Sequence, residues 1–401
     1  MTDFDTPIDR RGTGSLKWDC AEGELPMWVA DMDFPTAPAV REAIAARAAH
    51  GVFGYSVVPQ AWNDAYCSWW QTRHGLTIDP DSLIFCTGVV PAISSLVRKL
   101  TTPAENVLLM TPVYPIFFNC AQNNGRRIVE SPLRFDGGDY HIDFADLEQK
   151  LTDPQTTMMI LCNPHNPIGH IWDRDTLARI GALCRKHHVL VISDEIHCDL
   201  TAPGRDYVPF AAVSEECRLQ SITCFAPTKT FNIAGLQTAA VCVPDPVLRH
   251  KVWRGLNTDE VAEPNAFAVD AAVAAFTKGA PWLDELRGYI AQNKREAADF
   301  IRAQIPSLCP VPSEATYLLW LYADSFRGRA DEAAALIRRT TGLWLSAGTA
   351  YGGNGGSCLR MNLACPRQVV TDGLNRLKAG MTACATHFAA SPRTWRGIKE
   401  I

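Results

Sequence analysis

From about residue 82 the chain repeats one pattern: a short apolar run, a turn carrying glycine or proline, then an amphipathic stretch. SLIFC (82–86) leads into TGVVPAISSLVRKL, NVLLM (106–110) into TPVYPIFFNCAQ, and MMILC (158–162) into NPHNPIG. VLVIS (189–193) is followed by DEIH, and SITC (221–224) by FAPTK. Continuous apolar runs of this length alternating with helices predict an α/β fold whose mainly parallel central sheet is flanked by helices. Such strands deliver residues to a common crevice at their carboxyl ends, and the motifs that carry chemistry sit at those ends.

The 401 residues are enough to bury a large core and exceed the usual size of one domain, so two domains are expected. A net charge of −5 offers no basic footprint for nucleic acid. The acidic start MTDFDTPIDRR has no apolar core and no apolar run approaches a membrane span, so neither export nor insertion is expected. Of the 14 cysteines, none forms a CxxC pair, and Cys86, Cys162, Cys224 and Cys242 fall in or beside predicted buried strands. They read as reduced thiols of a cytoplasmic protein. His197-Cys198-Asp199 has the composition of a metal site, but neighbours on a strand end point in opposite directions, and no metal is expected.

Outside the repeating region, residues 12–35 form an irregular arm containing LPMWVADMDFP. A helix is predicted over 38–50, with Val40, Ile44 and Ala48 on one face and Gly51 as its stop, followed by a loop at Phe53-Gly54-Tyr55. A second helix, 59–74, carries Trp62, Tyr66, Trp69 and Trp70, which read as core. A long helix from about Trp282 to Ile305, with Leu283, Leu286, Ile290, Ala297 and Ile301 on one face, leads to a strand at 317–322. Beyond it come a helix at 332–340, the glycine-rich loop 352–356, the strand CLRMNLA and a last helix from about Pro366. The expected division is residues 1–50 as arm and part of a smaller α+β domain, 51–285 as the large domain and 286–401 as the rest of the small domain. Residues 387–401 read as a loosely held tail.

Lys229 stands just past the strand and turn SITCFAPT, between Phe225 and Phe231. Desolvation there lowers the pKa of an ammonium and frees the amine as a nucleophile for Schiff-base chemistry; a surface lysine in a loop is the competing reading. Thr87-Gly88 opens a helix whose first residue is expected to be Pro91, aiming the amides of Val89 and Val90 at an anion such as phosphate, although strand-to-helix glycines are common without a ligand. Asp194 ends an apolar strand, where a carboxylate is costly unless paired; a cationic ring nitrogen would pair it, and a structural cap would also account for it. Asn166, set between two Asn-Pro steps, can offer its amide to a phenolate oxygen on the same ring. Tyr114, boxed by Pro112 and Pro115, can stack on a flat cofactor or pack in the core. Arg360, between Leu359 and Met361, suits an α-carboxylate held in two-point fashion, or an internal ion pair.

The order Asn166, Asp194, Lys229, Arg360, preceded by the glycine turn at 88 and Tyr114, resembles the fold-type I pyridoxal-phosphate enzymes of the aminotransferase class I/II superfamily over nearly the whole chain. Within it, WVADMDFPTAP, TGVVPAIS, CNPHNPIGHIW, SDEIHCDL and PTKTFNIAGLQ resemble the MalY/PatB branch of cystathionine β-lyases, the carbon–sulfur lyases. The resemblance implies a transferase-like fold with pyridoxal 5′-phosphate in the large domain. By it Lys229 carries the cofactor, Asp194 pairs with its ring nitrogen, Asn166 binds its 3-oxygen, and Val89 and Val90 hold its phosphate. Tyr114 and His197 line the cofactor, Tyr114 also having a catalytic part, while Arg360, Asn166 and Ala30 face the substrate. Tyr55 resembles the tyrosine that reaches a phosphate across a homodimer interface. Against the general aminotransferase pattern, His197 stands where tyrosine is usual, Ala226 replaces a serine, and Gln237 replaces a phosphate-binding arginine. The phosphate must then lean on amides, Thr228 and Tyr55.

These departures suit a lyase that removes the α-proton of a small-molecule amino acid, cystathionine or an S-substituted L-cysteine, and expels a thiol by α,β-elimination, leaving pyruvate and ammonia. An aminotransferase, or a decarboxylation-coupled deamination of a cysteine conjugate, would use the same residues. A non-catalytic regulatory protein on this fold is disfavoured by the intact Lys229, Asp194 and Arg360.

Overall fold

The computed structural model describes residues 2–390. Seven strands form the main sheet: β1 (Leu83–Cys86), β2 (Asn106–Thr111), β3 (Arg127–Pro132), β4 (Thr156–Cys162), β5 (Leu190–Asp194), β6 (Ser221–Phe225) and β7 (Ala239–Cys242). Their order is β1-β7-β6-β5-β4-β2-β3. β7 runs antiparallel to both neighbours, and every other pairing is parallel. β6 is buried along its whole length and β4 over all but one residue, as expected for strands covered by helices on both faces. β3 and β7 escape the sequence pattern: RIVESP is a half-polar edge strand, and AAVC is too short and too rich in alanine to stand out.

The early helices fall where their periodicity places them: α1 spans Pro38–His50 and α2 spans Gln60–His74. Trp62, Tyr66, Trp69 and Trp70 are all buried in the core that backs β6, where Trp70 stacks on Phe225 at 4.0 Å. On α1 only Val40 is buried; Ile44 is half-buried and Ala48 exposed, so the expected apolar face is covered at one end alone. Residues 51–59 then run without regular structure and leave Val52, Phe53, Tyr55 and Val57 exposed. α3 (Val89–Leu100) begins two residues earlier than Pro91, which falls in its first turn and not at its start; proline is tolerated there because first-turn amides have no intrahelical acceptor.

The long helix α4 (Ala280–Gln304) joins two hydrophobic cores. Leu283, Leu286 and Ile290 pack with α2 and β6, while Ala297 and Ile301 pack beneath a second, antiparallel sheet. That sheet has the order β8-β9-β11-β10, with β8 Cys309–Pro310, β9 Leu318–Tyr322, β10 Ser346–Ala347 and β11 Cys358–Asn362. Helices α5 (Ala330–Thr341) and α6 (Arg367–Ala390) cover it. The amino-terminal arm joins this core: Leu25–Pro26 pairs in parallel with Leu343–Trp344, and Leu25 and Met27 are buried in it. Of the tail expected over 387–401, residues 387–390 belong to α6, whose Phe388 is buried against Phe326; 391–401 lie outside the described residues. Among the described residues no helix is long and apolar enough to cross a membrane, and all 14 cysteines are unpaired thiols.

Leu286 is fully buried at the junction of α4 with the large core. Leu286→Ala should cost about 3 kcal/mol of stability, read as a lower urea midpoint with an unchanged slope.

Candidate active site

Parallel pairing brings several strand ends to one place. Asp194, the last residue of β5, pairs with Cys162 of β4 on one side and Cys224 of β6 on the other. The turn after β4 carries Asn166, the helical turn Pro227–Thr230 after β6 carries Thr228 and Lys229, and the turn after β1 carries Gly88 into α3. With Tyr114 from the turn after β2, these residues line a cavity of about 250 Å³ that also receives Val89, Val90, His197 and Ala30. Nearly all the sequence-predicted residues therefore share one site. Arg360, on β11, adjoins it through Asn166, whose Oδ1 accepts from its Nη1 at 3.2 Å. Tyr55 does not enter the cavity of its own chain and is fully exposed.

The electrostatics of the cavity are set by burial. Asp194 is 5% exposed and accepts a hydrogen bond from the Ile196 amide at 3.0 Å; desolvation pushes its carboxyl up to about 7, and neighbouring Glu195 adds to the shift. The amine of Lys229 donates to the Ala30 carbonyl at 2.6 Å, and desolvation lowers its pKa to about 8 against the opposing pull of Asp31 and Asp194. His197 is buried with its Nδ1 unpartnered, and burial, reinforced by Lys229, Arg360 and Lys294, holds the ring neutral with a pKa near 3, lowered to about 3 from its ordinary value. Arg360 is also buried. It donates to Asn166 and to the Trp28 carbonyl (2.8 Å), its Nε has no partner, and among the described residues no carboxylate forms an ion pair with it. The internal ion pair that competed with an anionic ligand is thus not formed.

Several contributors carried no local signal. Tyr317 donates its hydroxyl to the same Ala30 carbonyl at 2.8 Å, and Cys162, Ile196 and Ala234 complete the wall. The expectation about His197-Cys198-Asp199 changes in part. Residues 196–199 form a turn and not a strand end, so Cys198 and Asp199 can converge, and their ligand atoms lie within 4.8 Å of those of His74. Asp199 is nonetheless engaged by His74 (2.9 Å), Trp69 (3.0 Å) and Thr230 (3.0 Å), the pattern of a hydrogen-bonded core carboxylate.

A buried carboxylate, a buried amine of reduced basicity, a helix N-terminus and a guanidinium from a second, antiparallel sheet, gathered at the carboxyl edge of a mixed sheet, define the fold type I class of pyridoxal-phosphate enzymes. The chain belongs to the aminotransferase class I and II family, whose sequence model matches residues 25–377. Cystathionine beta-lyase PatB of Bacillus subtilis is 44% identical over 386 residues, covering 94% of this chain and 100% of that protein. Protein MalY of Escherichia coli is 33% identical, covering 93% and 97%. Among solved structures, cystalysin from Treponema denticola, which contains a pyridoxal 5′-phosphate cofactor, superposes with a TM-score of 0.91 at 31% identity, covering 96% and 99%.

Because folding raises the pKa of Asp194, its contribution to stability is complete below the ordinary value of 3.8 and is lost as pH rises through about 7. In protein dialysed free of ligand, Asp194→Asn should therefore stabilise at pH 8 by roughly 2–4 kcal/mol, and the gain should vanish near pH 4. Thermal melts across that range check it.

Proposed function

We propose that the protein is a pyridoxal-phosphate-dependent carbon–sulfur β-lyase that acts on cystathionine or S-substituted L-cysteines. The carrying observation is the full-length likeness to PatB, joined to a site in which Lys229, Asp194 and Arg360 are all present and buried together. The cavity suits the cofactor on its own terms: Asp194 has no cation in hydrogen-bond contact, His197 has a free ring nitrogen, and the amides of Val89 and Val90 open a helix. When bound, the cofactor supplies an electron sink for the pair left at the α-carbon once its proton is removed.

The residues divide the remaining work. Lys229 would hold the cofactor and serve as the base that takes the α-proton; a pKa near 8 leaves a useful fraction of the amine unprotonated close to neutrality. Asp194 would keep the ring nitrogen protonated, Asn166, His197 and Tyr114 would hold the ring, Tyr114 also helping to hold the reacting groups in place, and Val89, Val90 and Thr228 would take the phosphate. Arg360, with Asn166 and Ala30 beside it, fixes the α-carboxylate and so aligns the α-hydrogen with Lys229. The lysine ammonium then returns a proton to the departing sulfur. The thiol leaves, and the three-carbon remainder takes up water to yield pyruvate and ammonia.

The exposed segment 51–59 supports a homodimer in which Tyr55 of one subunit reaches the phosphate of the other, and the unpaired thiols support a cytoplasmic location. Purified protein given cystathionine should release thiol and pyruvate without added keto acid, and Lys229→Ala should lose at least ~10³-fold in turnover together with the visible absorbance of bound cofactor. Amino-group transfer that requires a keto acid, with no thiol, would assign the aminotransferase reaction. For the dimer, Tyr55→Ala and Lys229→Ala subunits should each be impaired alone, while refolded mixtures regain up to about a quarter of wild-type activity, because each mixed dimer holds one intact site. No regain would place Tyr55 in its own subunit's chemistry or in none.

A further inference from the structure

Backbone buried outside a sheet must find its hydrogen-bond partners among side chains, and residues 28–34 show where this leads. The segment has no strand partner, yet its carbonyls are engaged in succession. Trp28 accepts from Arg360 (2.8 Å), Ala30 from both Lys229 (2.6 Å) and Tyr317 (2.8 Å), and Val29 and Asp31 from the amide of Asn362 (2.6 Å each). Two neighbouring carbonyls on one strap thus set the positions of the reacting amine and of the carboxylate-reading guanidinium.

The strap is itself held by a cluster of charged side chains, half-buried at Arg10 and Asp31 and buried at Lys17 and Asp33. Arg10 reaches both oxygens of Asp31 (3.1 and 2.9 Å) and Oδ1 of Asp33 (2.7 Å); Lys17 reaches Asp33 Oδ2 (2.7 Å) and lies 3.7 Å from Asp31; the Trp18 indole donates to Asp33 (2.8 Å). Lys17 is 1% exposed and Asp33 5%. Two cations and two carboxylates, neutral in sum, stand next to the active site; Lys17 and Asp33 are buried at a desolvation cost that apolar residues would avoid, while Arg10 and Asp31 are partly exposed. Their common effect is to clamp positions 31 and 33, immediately beyond the Ala30 carbonyl.

We propose that the Arg10–Asp31–Asp33–Lys17 cluster is a positioning device for the reaction: it holds the strap so that the Trp28 and Ala30 carbonyls place Arg360 and Lys229, and it keeps the Asp31 charge beside the lysine. The proposal rests on the function above in taking Lys229 as the reacting amine and Arg360 as the carboxylate clamp. The charged groups acting on Lys229 are Asp31 from the strap, Asp194 from β5 and Arg360 from β11. Of these, Asp31 alone is a residue of the arm, and Arg360 is bonded to it through the Trp28 carbonyl.

The test uses the holoenzyme and three variants. Asp31→Asn keeps the shape and removes the charge, Arg10→Gln releases the clamp, and Arg10→Lys restores a cation. Asp31→Asn should move the pH midpoint of the bound cofactor's absorbance down by roughly half a unit or more, since a nearby carboxylate favours the protonated amine. Arg10→Gln should raise KM for the amino-acid substrate about tenfold with a smaller change in kcat, and Arg10→Lys should recover most of it. A purely structural role would lower the melting temperature and leave midpoint and KM at wild-type values; that result overturns the proposal. If Arg10→Gln does not fold, Asp31→Asn decides alone. Failure of the lyase reading appears in the wild type, as absent thiol release, while the absorbance midpoint and spectral titration with L-alanine still decide the strap; a wild type that binds no cofactor overturns both.

Discussion

A carboxylate at the end of a buried strand, with one amide and no cation in hydrogen-bond contact, is the constraint around which this molecule is built. Asp194 sits between two parallel strands that leave it only 5% exposed at the cavity wall, and desolvation pushes its pKa toward neutrality. A protein keeps such a group where something else brings the compensating charge. In the proposed function the ring nitrogen of a pyridinium would do so, and its protonation would be secured in return, making the ring an electron sink.

The same low-polarity setting works on the amine in the opposite sense. Burial that raises the carboxyl lowers the pKa of Lys229, so both groups lie within reach of neutral pH although their ordinary values differ by more than six units. His197, surrounded by Lys229, Arg360 and Lys294, is kept neutral and can serve only as a hydrogen-bonding ring. Charge is thus left to the two groups that need it, together with an arginine that no carboxylate among the described residues pairs. Catalytic tuning here comes chiefly from the exclusion of water by β4, β5 and β6 and much less from pairwise ion contacts.

The second sheet and the amino-terminal arm contribute through main-chain atoms as much as through side chains. β11 brings Arg360, but the place of the guanidinium depends on the Trp28 carbonyl, and that of Lys229 on the Ala30 carbonyl, both on an irregular arm far away in sequence. The part of the arm beyond its short pairing at Leu25–Pro26, residues 28–34, lies outside any strand and is held by specific polar contacts, which makes its geometry sensitive to single charges.

Much of this was legible in the linear chain. Short apolar runs alternating with amphipathic helices determined a mainly parallel sheet, and the turn motifs at their ends determined which residues would meet: Asn166, Asp194, Thr228, Lys229 and the Val89 and Val90 amides share one cavity because strand ends must. Strands β3 and β7 were not legible, one being a half-polar edge and the other four small residues, nor was the start of α3, because proline fits more than one place in a first turn. What only tertiary structure decided is the long-range part. The convergence of His74 with Cys198 and Asp199, Tyr317 behind Ala30, and the ion cluster beside the strap join residues up to 287 positions apart. Periodicity and propensity act over a few residues, whereas such contacts depend on how whole sheets and helices pack, and no local pattern encodes that.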